Sequence, residues 1–308
     1  MICYFCYKKL SSTSHYHLHQ ACFKKLFDVE TLDEFVEFSR LSSGLQGSLD
    51  DGRDSSRDSQ FHGHYPKYTA QMCGKRYILK SGKLSSYPIL AETEGLSNAL
   101  ADSMGVPVAK PFGLIEYKEK KCFVVRDFLD TPSRKNLIHL WDIWPEQGQQ
   151  KLPFHLSTLL RVLGQRVSYK EVTMCVELIL FDYLIGNGDR HRGNIGFLEG
   201  SRGTRKLAPF YDNVSDLGLE DPKLLDPKMK WHPSTKIELD DGRTEIVAYL
   251  EQIRSLGFHE PISRFQRRLT SRLKATLVLI DQFPADENLK ACLSDLWHRR
   301  SKEILQWT

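Results

Sequence analysis

The run EVTMCVELILFDYLIGNGDRHRGNIGFL, residues 171–198, constrains this chain more than any other stretch. Val172, Cys175, Val176, Ile179, Leu180, Tyr183 and Leu184 recur at i, i+3, i+4, i+7 spacing and give one broad apolar face. The spacing predicts a core helix from Glu171 to Ile185. Gly186, Asn187, Gly188 and Asp189 are turn and breaker residues where that helix must end. A polar loop comes next, and the apolar Ile195, Gly196 and Phe197 resume as a short strand.

Asp189 and Asn194 stand in a D-x-x-x-x-N spacing inside that loop. A carboxylate and an amide so placed suit a substrate hydroxyl and a divalent cation. Both are also ordinary turn residues, so the spacing acquires meaning only from its surroundings. Downstream lies KLAPFYDNVS, a strand-like run punctuated by a second acid, Asp212. Helix, loop, strand and second acid, in that order, suit a metal and phosphate site.

LIGNGDRHRGN with LAPFYD after it resembles the C-terminal domain of HipA-like serine/threonine kinases, the toxin kinases of bacterial toxin–antitoxin systems. The resemblance implies an α+β, two-lobed protein-kinase-like fold with a small β-rich N-lobe and a larger helical C-lobe. It makes Asp189 the catalytic base, gives Asn194 and Asp212 the Mg²⁺, and identifies His191 as the catalytic-loop histidine. His191 is expected to hydrogen-bond within the loop and brace Asp189, a satisfied histidine being the other reading. The D-R-H-x-x-N string is also similar to the catalytic loop of phosphoinositide lipid kinases. A lipid or small-molecule kinase therefore stays open as an alternative.

Upstream, the strand KRYILK closes on Lys80. Alone, a lysine there is a solvated strand end, but the next segment, AETEGLSNALADSMGVPV, carries a helical face of Leu96, Ala99, Leu100 and Met104 with Glu94 near its start. By the resemblance Lys80 fixes the ATP phosphates and Glu94 is its partner, with Glu92 as the nearby alternative. Of the next two strands, PFGLIEY and KCFVVRDF, the second resembles the hinge that binds the adenine edge through backbone groups. Val125, Arg126 and Phe128 are the hinge residues, with Arg126 and Asp127 facing solvent. The family's autophosphorylated S-x-x-G-x-Q loop corresponds to Leu41-Ser42-Ser43-Gly44-Leu45-Gln46. Leucine replaces the first serine, which moves an autophosphorylation site to Ser43 or Ser42; a solvated serine-rich linker is the other reading.

The chain starts with Cys3-x2-Cys6, then twelve residues, then His19-x2-Cys22. Two closely paired sets of N/S ligands are what a structural, four-coordinate zinc requires. His17 is an alternative to His19, and His15 a more distant one; a hairpin with buried thiols is the competing reading. Residues 1–30 are assigned to this knuckle, 31–129 to the N-lobe and 130–308 to the C-lobe. Phe27, Val29, Leu32, Phe35, Val36 and Phe38 suggest one or two short helices between the knuckle and a long Ser/Gly/Asp/Arg-rich loop.

A chain of 308 residues allows one large or two smaller cores, and 41% hydrophobic with 27% charged residues is ordinary for a globular protein. A net charge of +4 neither demands nucleic acid nor excludes a basic groove for phosphates. No run of about eighteen apolar residues is present, so no membrane partner is expected. Seven cysteines, an odd number, fit reduced thiols, and the cysteine- and lysine-bearing start lacks a secretory signal, which together predict a cytoplasmic protein. Two C-terminal helices are expected, one through Ile262, Phe265, Leu269, Leu273 and Leu277, the other through Leu289, Cys292, Leu293, Leu296 and Ile304. Arg264, Arg267, Arg268, Arg272 and Lys274 give the first of these a basic face, read as solvated surface with contact to RNA or DNA as the alternative.

The resemblance, closest to the short HipT-type kinases, implies ATP and Mg²⁺ as cofactors beside the structural zinc. It also implies a protein substrate such as an aminoacyl-tRNA synthetase, antitoxin partners, and DNA only indirectly through an antitoxin. A non-catalytic binding module on the same fold is the remaining alternative.

Overall fold

A strand sends successive side chains to opposite faces, and Lys75–Ser81 sorts its residues accordingly. Tyr77 and Leu79 are buried against the N-terminal segment, whereas Ile78 and Lys80 face a cleft on the other side. The structure is a computed structural model that describes residues 1–10, 14–41, 67–81, 89–130, 136–147, 150–200, 203, 205–217 and 236–307. Ser42 and Ser43 lie outside the described residues.

Lys75–Ser81 is β3 of a five-stranded antiparallel sheet with β1 (Val36–Leu41), β2 (Lys67–Met72), β4 (Phe112–Tyr117) and β5 (Lys120–Arg126), in the order β1-β2-β3-β5-β4. Lys80 is in register with Phe123 of β5. Helix α1 (Gln20–Phe27) lays Phe23, Leu26 and Phe27 on one face of the sheet, with the Phe27 and Tyr77 rings 5.5 Å apart. The knuckle also covers the edge of β4, because the Tyr16 carbonyl accepts the Glu116 N–H at 3.1 Å.

The helical expectation for residues 23–40 holds only for its first part. Asp28 ends α1 in a left-handed conformation, and Val36–Leu41 is a strand paired with β2. Phe35 is 7% exposed and Val36 63%, an alternation that suits a sheet edge and leaves no continuous helical face.

The opposite face of the sheet receives α2 (Leu90–Ser103). Gly95 permits the close approach, since a Cβ there would sit 3.0 Å from Leu114 and 3.2 Å from Phe283. Leu96, Leu100 and Met104 join a large core shared with the C-terminal helices, which ties the lobes together.

The C-lobe begins with β6 (Asn136–His139), which pairs with β9 (Gly196–Glu199), itself paired with β10 (Arg205–Leu207); β7 (Glu146–Gln147) and β8 (Gln150–Lys151) form a short ribbon. In the apolar and aromatic run LIHLWDIW, Leu137, Leu140 and Trp144 are buried, but Trp141 is 49% exposed. Helix α3 spans Leu156–Gly164 and α4 Tyr169–Ile185. The latter starts two residues before the predicted Glu171, because Ser168 and Glu171 close a capping box. It ends at Gly186, φ 72°, a conformation glycine adopts without strain.

Both expected C-terminal helices are present, α6 (His259–Gln282) and α7 (Glu287–Gln306), together with an unforeseen α5 (Ile246–Ser255). The basic face of α6 is only partly solvated. Arg264 Nε lies 2.5 Å from Glu177 Oε1 and Arg268 Nη2 3.0 Å from Glu177 Oε2, and Arg268 Nη1 also caps α2 at the Met104 carbonyl. Glu177 is a carboxylate buried on α4, and burial without those guanidinium groups would be unfavourable. Among the described residues no helix is long and apolar enough to cross a membrane.

Candidate active site and metal-binding cluster

Strand β3, helix α2 and the segment after β10 converge on Lys80. Its Nζ lies 2.5 Å from Glu94 Oε1 and 2.5 Å from Asp212 Oδ1, and its side chain is 8% exposed. Burial alone would push the ammonium down; Asp212 and then Glu94 outweigh it and hold Lys80 above the ordinary lysine range. Glu92, the alternative, is occupied elsewhere, by Lys121 and by the Asp286 N–H. The sequence places the two acids 14 and 132 residues from Lys80, and the fold delivers both.

These three residues line an open cleft of about 480 Å³ that also takes in Val125, Arg126 and Phe128. All of the expected hinge positions therefore border the same space as the lysine. Asp127 does not face solvent as expected. It is 5% exposed, pairs with Arg76 at 3.2 Å and accepts the Leu129 N–H at 2.9 Å, so it shapes the turn after β5. Arg126 is half-buried, with its guanidinium 5.4 Å from the Tyr77 ring centroid. The Arg126 and Asp127 N–H groups donate to Pro111 and Arg76 carbonyls. Phe128 comes next and lines the cleft.

The loop after α4 is held by a residue that spacing did not reveal. Arg190 is fully buried and donates to both Asp182 oxygens, to Asn213 Oδ1 at 2.6 Å, and to the Tyr211 and Asn194 carbonyls at 2.9 and 3.2 Å. One guanidinium thus fastens the helix, the loop and the segment after β10 that carries Asp212. Five donors in a rigid fork make arginine suited to that position. Asp182, a carboxylate within an otherwise apolar helical run, was the available signal.

Asn194 Nδ2 donates to the Asp189 carbonyl at 3.0 Å, which fixes the amide and turns Oδ1 into the acceptor available to a cation. His191 Nδ1 accepts the Gly193 N–H at 2.9 Å, and burial holds the ring below the ordinary histidine range. Its Nε2 is 4.0 Å from Asp189 Oδ2, too far for the direct bracing that was expected. His191 instead shapes the loop, and Gly193 is required beneath it, since a Cβ there would lie 2.8 Å from the ring. Asp189 itself is exposed, and Lys236 Nζ donates to its Oδ1. Two further residues carried no sequence signal: Asp216, which accepts the Gly188 N–H at 2.9 Å, and Tyr211, whose hydroxyl donates to the Gly193 carbonyl at 3.0 Å.

At the other end of the N-lobe, one ligand atom each of Cys3, Cys6, His19 and Cys22 lies within 4.8 Å of the other three. Cys6 Sγ and Cys22 Sγ are 3.4 and 3.7 Å from His19 Nδ1. Tetrahedral Zn²⁺ with bonds of about 2.0–2.3 Å requires ligand separations of this order. His19 Nε2 donates to the Lys9 carbonyl at 3.0 Å, which leaves Nδ1 as the metal-facing nitrogen. His15 and His17 turn away, to the Asp33 carbonyl and to Glu116. Cys3 is buried, but N–H groups of Cys6, His19 and Phe5 outweigh that burial and bring its thiol down to about 7. Burial, then the neighbouring thiols, push Cys22 up to about 12, because crowded sulfurs cannot all ionise without a cation. The donor set fits zinc and leaves no fifth position for chemistry.

The sheet over a helical lobe, with Lys80 and its two acids at their junction, defines a two-lobed, protein-kinase-like fold. The chain belongs to the HipA-like C-terminal domain family, whose profile matches residues 59–276. Among solved structures it is similar to the proinflammatory kinase CtkA of Helicobacter pylori, with a TM-score of 0.63 and 19% identity over 78% of this chain and 91% of that one. It is also similar to HipA of Shewanella oneidensis MR-1, solved in a complex of a toxin–antitoxin system with HipB and operator DNA, with a TM-score of 0.58 and 17% identity. That match covers 80% of this chain and 64% of the Shewanella chain. A search of curated proteins by sequence finds no match.

Proposed function

We propose that the chain is a HipA-like, ATP-dependent serine/threonine protein kinase. The observation that carries this reading is Lys80, held 2.5 Å from both Glu94 and Asp212 inside a cleft bordered by Val125, Arg126 and Phe128. A buried cation between two acids is an arrangement for handling phosphate, and phosphoryl transfer depends on positioning and charge neutralisation more than on covalent chemistry.

In this reading the Phe128 peptide meets the adenine edge and Lys80 meets the nucleotide phosphates, with Glu94 keeping it in place. Asn194 Oδ1 and Asp212 are hard oxygen donors and would hold Mg²⁺, which when bound neutralises phosphate charge. Asp189, an exposed carboxylate on the loop after α4, orients the acceptor hydroxyl and takes its proton. Arg190 keeps Asp189, Asn194 and Asp212 in one frame. The Cys/His cluster is a structural zinc site of the N-lobe.

The Shewanella HipA complex with HipB and operator DNA supports an antitoxin as partner. Contact with DNA only through that antitoxin is part of the proposal. A component of translation such as an aminoacyl-tRNA synthetase is the proposed protein substrate, with self-modification at Ser43 or Ser42. The test is Mg²⁺-dependent transfer of labelled γ-phosphate, comparing wild type with Asp189→Asn on protein and on lipid extracts. Label in protein, lost in the variant, is the expected result. Label confined to lipid or small molecules transfers the assignment to that class. ATP binding with no transfer to any acceptor leaves a binding module.

A further inference from the structure

The catalytic-loop segment contains three basic residues, and none of them hydrogen-bonds the Asp189 carboxylate, His191 Nε2 staying 4.0 Å from its Oδ2. Arg190 is buried in its ion pair with Asp182. Arg192 turns into an aromatic pocket, 4.4 Å from the Trp141 ring centroid, and donates to the Leu152 carbonyl at 3.1 Å. His191 accepts an N–H through Nδ1, and burial disfavours its charged form. Lys80 is committed to Glu94 and Asp212.

The charge comes from elsewhere in the chain. Lys236, 47 residues beyond Asp189, donates directly to Asp189 Oδ1. The two side chains are 55% and 57% exposed, and an ion pair so exposed contributes little to folding. Asp189 is also the acid whose neighbourhood must accommodate a phosphoryl group if the kinase reading holds.

We propose that Lys236 supplies the cation that stabilises the transferring phosphoryl group, an inference that rests on the kinase reading. In that step the acceptor oxygen forms a bond to the γ-phosphorus while the bond from phosphorus to the β,γ-bridging oxygen breaks. ADP leaves with that electron pair, and the hydroxyl proton passes to Asp189. As Asp189 becomes neutral, Lys236 loses its anionic partner at the moment when charge spreads over the phosphoryl oxygens beside it. The ammonium then shifts its interaction from carboxyl to phosphoryl. Such an interaction is stronger in the transition state than in the ground state, which is the condition for raising kcat.

The experiment compares wild type, Lys236→Met and Lys236→Arg in γ-phosphate transfer, with Asp189→Asn as the inactive reference. Mg·ATP binding is followed by calorimetry and folding by thermal unfolding. For Lys236→Met we expect kcat to fall about 10–100-fold with unchanged unfolding and ATP affinity within about threefold, and for Lys236→Arg to recover most of the rate. Unchanged kcat in Lys236→Met, while wild type is active, overturns this inference alone. A rise confined to KM for the protein acceptor makes Lys236 a substrate anchor and also overturns it. A wild type that binds Mg·ATP yet transfers phosphate to nothing overturns the kinase reading, and this inference with it.

Discussion

Arg190 and Asp182 meet through two parallel hydrogen bonds, Nε to Oδ2 at 2.7 Å and Nη2 to Oδ1 at 3.0 Å, with both side chains buried. Eight residues and a left-handed glycine separate them in the chain. The pair sets the angle at which the loop leaves α4. Arg190→Met should leave the Asp182 carboxylate buried without its partner and lower stability by about 3–5 kcal/mol. Asp182→Ala should cost a similar amount. Denaturant unfolding of both checks this; losses within the range of an exposed pair would show that the guanidinium is dispensable.

Lys80 couples the lobes through opposite charges on α2 and after β10. Removing the lysine alone takes a close cation from the buried carboxylate of Glu94, which is 3% exposed, so Lys80→Met should lose ATP affinity and also stability, by about 3 kcal/mol. The double variant Lys80→Met/Glu94→Gln should recover much of that stability and none of the ATP affinity. A double-mutant cycle read by calorimetry and unfolding separates the two contributions.

Burial, with Asp189 adding to it, raises the Asp216 carboxyl to about 7. Its unfolded value is near 3.9, so between those values the folded protein binds the extra proton. The contribution to stability is fully present below about pH 4 and is lost as pH rises through about 7, by up to about 4 kcal/mol at pH 8. Asp216→Asn keeps an acceptor for the Gly188 N–H and removes the titration. The variant should therefore be more stable than wild type at pH 8, with the gap closing towards pH 5. Parallel pH–stability curves would exclude this assignment of the proton.

The Cys3–Cys6–His19–Cys22 cluster should retain about one equivalent of zinc through purification without added metal. Chelation should lower the unfolding temperature, and Cys22→Ser should lose both the metal and the response to chelator. Because Phe23, Leu26 and Phe27 come directly after the cluster and fill the sheet core, the loss should spread to β3 and be visible as faster amide exchange there. Metal content below about half an equivalent would count against the site.

How much of this was legible depends on whether the physics was local. The helix ending at Gly186 was, because apolar periodicity and a glycine stop are written in neighbouring residues. So was the alternation of KRYILK and the pairing of Cys3-x2-Cys6 with His19-x2-Cys22. The strand Val36–Leu41 was missed because its partner β2 is remote, and hydrogen bonds along an edge leave little trace in composition. The inward turn of Asp127 was missed because Arg76, which receives it, lies on another strand.

The chemistry of the site divides in the same way. The sequence by itself determined the residue types and their order: a lysine closing a strand, a glutamate on the next helix, an acid and an amide across a turn, and a second acid after a strand. Only the tertiary structure decided that Glu94 and Asp212 both reach Lys80, that His191 bonds Gly193 rather than Asp189, and that Lys236 sits on Asp189. Short-range periodicity is set by backbone geometry, which each residue carries with it. Which charges meet is set by burial and loop closure over tens of residues, and those are properties of the folded chain alone.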